Sequence, residues 1–179
     1  MITVEKYSHV SLAHKMVTKI QKLNNIEEDI EIVFDFDTKD AGYYYSNDYK
    51  LYINPFKRLD YCYGHPSGHD IRNIIFHEYG HYLDGKFNIA KPYRSYVRKK
   101  GHLYLCDHSK KNIGEEIAEI ISLYISNPLL LKMMDKERFE FYQSYIKIPK
   151  SFLKDPYIIQ LGWSKHFDKL LKKNFNIVL

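Results

Sequence analysis

The sequence predicts an α+β chain in which a small, mostly antiparallel sheet sits among helices. Three observations carry that expectation. Ile30, Ile32, Phe34 and Phe36 alternate with Glu31, Val33 and Asp35, the two-residue period of a strand with one buried face. Gly42-Tyr43-Tyr44-Tyr45 and Tyr49 to Ile53 are β-prone runs joined by Ser46-Asn47-Asp48, residues suited to a tight turn, and together they predict a hairpin. Much of the remaining chain carries apolar residues at helical spacing.

Taken in order, Val10, Leu12, Ala13, Val17, Ile20 and Leu23 predict a first helix over about residues 8–23, broken at Asn24-Asn25. The strand at 30–36 and the hairpin follow, and Asn54-Pro55 stops the second arm of the hairpin. Gly64, Pro66 and Gly68 make 61–68 a loop that leads into a helix over about 69–84. After Gly85 a basic segment through Lys91-Pro92 and Gly101 to about Lys111 is expected as a long loop or a pair of short helices. A second strong helix covers 112–126, where Asn127-Pro128 ends it, and further helices are expected near 129–146 and 156–173. Residues 1–179 form one domain, a size within the usual range, with no internal repeat or linker.

Composition narrows the function classes. The chain has 27 Lys and Arg against 22 Asp and Glu, a net charge of +5 that is spread along the sequence and not gathered into a stripe. Arg94, Arg98, Lys99 and Lys100 therefore read as a solvated segment, and nucleic acid is not an expected partner. Cys62 and Cys106 lack the paired spacing of a thiolate zinc site or a disulfide framework. No stretch approaches the ~18 apolar residues of a membrane span. The N-terminus, MITVEKYSHVSLAHKMV, has no basic start and no apolar core of a secretory leader, so a cytoplasmic protein is expected. A secreted protein whose leader has been removed is the alternative.

The chemistry sits in His77-Glu78-Tyr79-Gly80-His81, an HExxH pentapeptide inside the expected helix at 69–84. Histidines four apart on a helix project from one face, about one turn apart, which suits two corners of a tetrahedral metal site. Glu78 projects about 100° away, where it can reach a water beside the metal and act as a general base. HExxH arises by chance often enough that a second element is required. A third ligand on the same chain segment would need glycine at 84 and histidine or aspartate at 87, where the sequence has Asp84 and Phe87. A carboxylate from a later helix is the remaining route, and Glu115-Glu116-Ile117-Ala118-Glu119 supplies it. Glu115 and Glu119 share a face, with Glu115 as the expected third ligand and Glu119 as the carboxylate that receives the other ring N–H of His77. Glu116 is the competing ligand, and Ala118 permits close helix approach. Acids in a first helical turn, with Asn112 as cap, also arise for purely structural reasons. His65 and His69 read as loop residues, and Asp84 either bonds near the site or caps the helix end.

HEYGHYLD followed by EEIAEIISLYISNP resembles the gluzincin metallopeptidases related to the anthrax lethal factor catalytic domain and to the Pro-Pro endopeptidases. In that group HExxHxxD precedes an ExxAE helix. The likeness covers about residues 40–128, and its specific part is the two short motifs. It implies a zincin-like fold, one catalytic zinc and endopeptidase activity, with Glu115 as ligand and Glu119 behind the site. The group places a tyrosine seven residues before the ligand glutamate to assist the transition state. This chain has His108 there. Either His108 stabilises the oxyanion or Tyr104 supplies that group through a shifted loop.

The expected activity is hydrolysis of a peptide or protein substrate, held extended along a hairpin strand at Tyr43–Tyr45 or Tyr49–Ile53. Two other readings stay open: a cytoplasmic peptidase of a mobile element that cleaves a regulatory protein, and a binding module that keeps a zincin fold without catalysis.

Overall fold

The computed structural model describes residues 4–57, 71–154 and 172–173. The expected loop at 61–68 and nearly all of the expected helix at 156–173 lie outside the described residues, as do Cys62, His65 and His69. The described residues are α+β and mostly helical, with one three-stranded sheet among them.

Helix α1, Val4–Leu23, sets Ala13, Met16, Val17 and Ile20 on its core side, the i, i+3, i+4, i+7 pattern of a helix packed on one face. It ends where Asn25 takes a left-handed conformation, φ 53°, which asparagine tolerates better than most residues. The Asn24 amide nitrogen donates to the Ile20 and Lys147 carbonyls, and Asn24 Oδ1 accepts from Lys147 N–H, tying this end to a distant part of the chain.

The strands are β1, Glu31–Phe34; β2, Gly42–Tyr45; and β3, Lys50–Ile53. The hairpin β2–β3 is antiparallel, in register Gly42 to Ile53 and Tyr45 to Lys50, as expected. The sheet order is β1-β3-β2, with β1 parallel to β3, so the sheet is mixed and not mostly antiparallel. The cause is the 35–41 connection, which passes across the end of β3. The Asn54 side chain donates to Thr38 O at 2.9 Å, and Asn54 N–H donates to Ala41 O at 2.8 Å, pinning that crossing. β3 is therefore central and β2 lies at an edge. β1 is shorter than the alternation at 30–36 suggested. Asp35 turns the chain by accepting from Asp37 and Thr38 N–H, and Phe36 is left 52 % exposed beside Phe56.

Helix α2, Ile71–Phe87, is buried on nearly every side, with α1, β2, β3 and α4 packed around it. Its tightest contact is with α4, Ile113–Ser126. A Cβ at Gly80 would lie 2.8 Å from the Ala118 carbonyl oxygen and 2.9 Å from its Cα, so the two backbones approach as closely as side chains allow. Ile117, Ile120, Ile121 and Tyr124 of α4 complete this core.

The basic segment after α2 is one helix, α3, Ala90–Lys100, with Tyr93 and Val97 buried and Lys91, Arg94, Arg98 and Lys99 outward. A short 3-10 helix, His108–Lys110, precedes α4. The helix expected over 129–146 is two, α5, Pro128–Met134, and α6, Lys136–Tyr145. Asp135 breaks it by taking an extended conformation and capping α6 through Arg138 N–H. α7, Lys150–Lys154, follows and buries Phe152. No single helix among the described residues is long and apolar enough to cross a membrane.

The glycines of α2 make a paired test. Gly80→Val should cost about 1–3 kcal/mol, because the added methyls meet backbone that cannot give way. At Gly85, where a Cβ meets nothing within 4 Å, alanine should add about 0.5–1 kcal/mol. Denaturant titration of both variants measures this, and equal effects would remove the close crossing as the constraint.

Candidate metal centre

The α2–α4 crossing sets His77 and His81 opposite the first turn of α4. His77 Nε2 lies 3.2 Å from His81 Nε2 and 3.1 Å from Glu115 Oε2, and His81 Nε2 lies 3.4 Å from the same oxygen. A tetrahedral metal with bonds of about 2.0–2.1 Å needs its ligand atoms about 3.3 Å apart. All three separations fit. Behind His77, Glu119 Oε1 sits 3.1 Å from Nδ1, and both side chains are buried. A carboxylate only accepts, so with a metal on Nε2 the ring proton would sit on Nδ1, facing Glu119.

The cap of α4 explains why Glu115 faces this way. Asn112 Oδ1 accepts from Glu115 N–H at 3.0 Å, which starts the helix and leaves the Glu115 side chain free to reach the histidines. The structural and site roles of this turn coexist. Glu116, one residue and about 100° on, points the other way. Its carboxylate is fully buried and accepts from Tyr93 OH at 2.7 Å, Leu103 N–H at 2.8 Å and Arg138 at 3.2 Å, with His102 on its other oxygen. Glu116 is therefore no competitor for the metal. Asp84 likewise serves structure, accepting from Ala90 N–H at 2.7 Å at the start of α3.

His108 joins the cluster from the 3-10 turn. Its Nε2 is 2.9 Å from Glu115 Oε2, and His77, His108 and Glu115 each bring a donor atom within 4.8 Å of the others. Two triads thus share His77 and Glu115, one completed by His81 and one by His108. Tyr104 is not brought here: it is 41 % exposed, and its ring stacks on His102. Ser109 holds the turn by donating to Cys106 O and accepting from Cys106 N–H.

Glu78 is 5 % exposed and borders a cleft of about 770 Å³ between β2 and the cluster. Edge strand β2 forms one wall, with Gly42, Tyr43 and Tyr44, and Lys39, Lys57 and Lys111 stand around it. Gly42 permits the approach, since a Cβ there would lie 2.7 Å from Ile74 Cγ2 and 3.0 Å from Glu78 Oε1. The roles of Gly42, Lys39, Lys57 and Lys111 were not read from the sequence. The one local signal was Lys111 three residues after His108.

The electrostatics favour a cation at this point. Burial pushes the Glu78 carboxyl up from its usual range and Glu115 adds to that, against the pull of His77 and His81. For His77 burial opposes charge, yet Glu119 and Glu115 outweigh it and hold the ring well above its ordinary value. Burial works against the Glu115 anion too, but hydrogen bonds from His108, His77 and His81 lower its carboxyl far below the usual range. The set can hold a divalent metal by two imidazoles and one carboxylate.

Comparison of the chain with protein-family models, curated proteins and solved structures finds no match.

Elemental analysis of protein offered zinc should find about one ion per chain in the wild type and Glu116→Gln, and should find Glu115→Ala depleted. Glu116→Gln should still melt early, by about 3 kcal/mol of stability, because Arg138 loses its fully buried anion and keeps only the partly exposed Asp135.

Proposed function

We propose that the chain is a zinc-dependent endopeptidase in which His77, His81 and Glu115 hold the metal and Glu78 is the general base. The observation that carries this reading is the donor triangle of 3.1, 3.2 and 3.4 Å beside a buried glutamate on an open cleft. Two imidazole nitrogens and one carboxylate match the donor set of catalytic zinc, whereas calcium and magnesium sites are built from oxygen alone. The chemistry supplied by a bound zinc is Lewis acidity, which polarises a carbonyl and acidifies a water.

The chain's own residues do the rest. Glu78 takes the proton of the attacking water and delivers it to the leaving amine, and its burial raises its basicity for that task. Glu119 keeps the lone pair of His77 pointed at the metal. His108, which lines the cleft beside Glu115, donates toward the oxyanion that forms on the carbonyl. The substrate lies extended along β2, pairing through main-chain hydrogen bonds with the edge that no described strand occupies. β3 is unsuited to this, since it is paired on both sides.

Glu78→Gln tests the reading. The variant should keep zinc by elemental analysis and lose about 10²–10⁴-fold in turnover of a mixed fluorogenic peptide set. A zinc-loaded Glu78→Gln that cleaves as fast as the wild type would sink the mechanism, and a zinc-loaded wild type that cleaves nothing would favour a binding role.

A further inference from the structure

We infer that Lys111 fixes the tautomer of His108, so that His108 faces the cluster as an N–H donor and not as a metal ligand. The inference about the tautomer stands on geometry alone; its consequence for turnover rests on the peptidase reading above. Lys111 Nζ lies 2.8 Å from His108 Nδ1. An ammonium has three donors and no acceptor, so Nδ1 must accept and carries no proton. A neutral imidazole has one ring proton, which therefore sits on Nε2. That nitrogen lies 2.9 Å from Glu115 Oε2, an acceptor the proton can reach.

His77 and His108 are thereby set in opposite senses by opposite partners. A carboxylate stands behind His77 at 3.1 Å and frees its Nε2 lone pair for a metal. An ammonium stands behind His108 and leaves its Nε2 with a proton to donate. Of the two triads that share His77 and Glu115, the one completed by His81 is the ligand set, and the one completed by His108 is excluded by the proton. The backbone supports the same arrangement, for Lys111 N–H donates to His108 O at 3.1 Å, closing the turn that holds both side chains. Asn112 follows at once as the cap of α4. Five consecutive residues therefore supply a donor, the group that sets its tautomer, and the cap that aims Glu115. Lys111 is a positioning residue: it acts on the reaction through His108.

The experiment is ¹⁵N NMR of the full chain, labelled in histidine, with equimolar zinc added, at mildly alkaline pH where an imidazole is neutral. The spectrum of His108→Phe identifies the His108 signals. In the wild type His108 should show a protonated Nε2 and an unprotonated Nδ1. Lys111→Met should convert this to a mixture of tautomers, and Lys111→Arg, also a donor without an acceptor, should restore it. In parallel, Lys111→Met should lower kcat about 10–100-fold with KM unchanged, with recovery in Lys111→Arg. A wild-type His108 that is protonated on Nδ1, or a pattern that Lys111→Met leaves unaltered, overturns the inference. If the tautomer responds as stated while no form of the protein cleaves peptides, the assignment of Lys111 holds and the peptidase reading fails.

Discussion

The distances from His77 and His81 to Glu115 and Glu119 depend on how closely α2 can approach α4. HExxH supplies two histidines on one turn of one helix, and the third donor comes from a helix that begins more than thirty residues later. A donor triangle with sides near 3.3 Å forms only if the two helix axes cross almost in backbone contact. Gly80 lies inside the pentapeptide itself and faces Ala118, which lies inside the glutamate motif. The two smallest residues of the two motifs thus meet each other, while His77, His81, Glu115 and Glu119 reach across on the flank of that contact. A larger residue at either point would open the triangle before it touched a ligand.

Closeness alone does not set which face of α4 meets the histidines. That is fixed by Glu116 and Arg138. Arg138 Nη1 contacts Glu116 and Tyr93, Nη2 donates to Gly101 O at 2.8 Å, and Nε donates to Asp135 at 3.0 Å. The guanidinium therefore joins α3, the loop after it, α4 and α6 at one buried point. A buried ion pair is a poor source of net stability, since desolvation offsets most of the attraction. Its value here is directional. Leaving Glu116 unpaired in the core is so costly that α4 cannot rotate, and with Glu116 held inward, Glu115 has to face the cleft.

What was legible in the sequence follows the range of the interactions. HExxH, the pairing of Glu115 with Glu119 on one face, the Asn112 cap and the hairpin turn at 46–48 are all set within a few residues and appear where the pattern put them, except that Tyr49, expected in the strand, belongs to the turn with φ 57°. His77, His81 and Glu115 could therefore be read from these motifs as donors, whereas His108 was expected beside the oxyanion and its contact with Glu115 had no local signal. The partnership of Glu116 with Arg138 spans 22 residues, and two adjacent acids look alike until that partner is known. Strand order was hidden for a similar reason. Whether β1 joins β3 or β2 depends on Asn54 binding the backbone at Thr38, a contact between a loop and a strand end that has no period to betray it. The α3 helix was obscured by its charge, because only Tyr93 and Val97 mark its buried side.

Gly42 brings the sheet into the same economy of space. β2 has to run close enough to α2 to wall the cleft, and at Gly42 it passes within contact of Ile74 and Glu78. That approach does two things at once. It removes Glu78 from water, which lifts its carboxyl toward the range useful to a base, and it leaves the outer edge of β2 facing the cleft beside the donor triangle. Among the described residues nothing pairs with that edge, and an exposed ladder is a hazard unless it is guarded. Lys39 and Lys57 stand near it, charges of the kind that discourage a second copy of the chain from adding as a strand. A peptide that does pair there is carried past Glu78 by the geometry of the sheet. The one residue without a side chain in β2 therefore links the basicity of the glutamate to the place where an extended chain can bind.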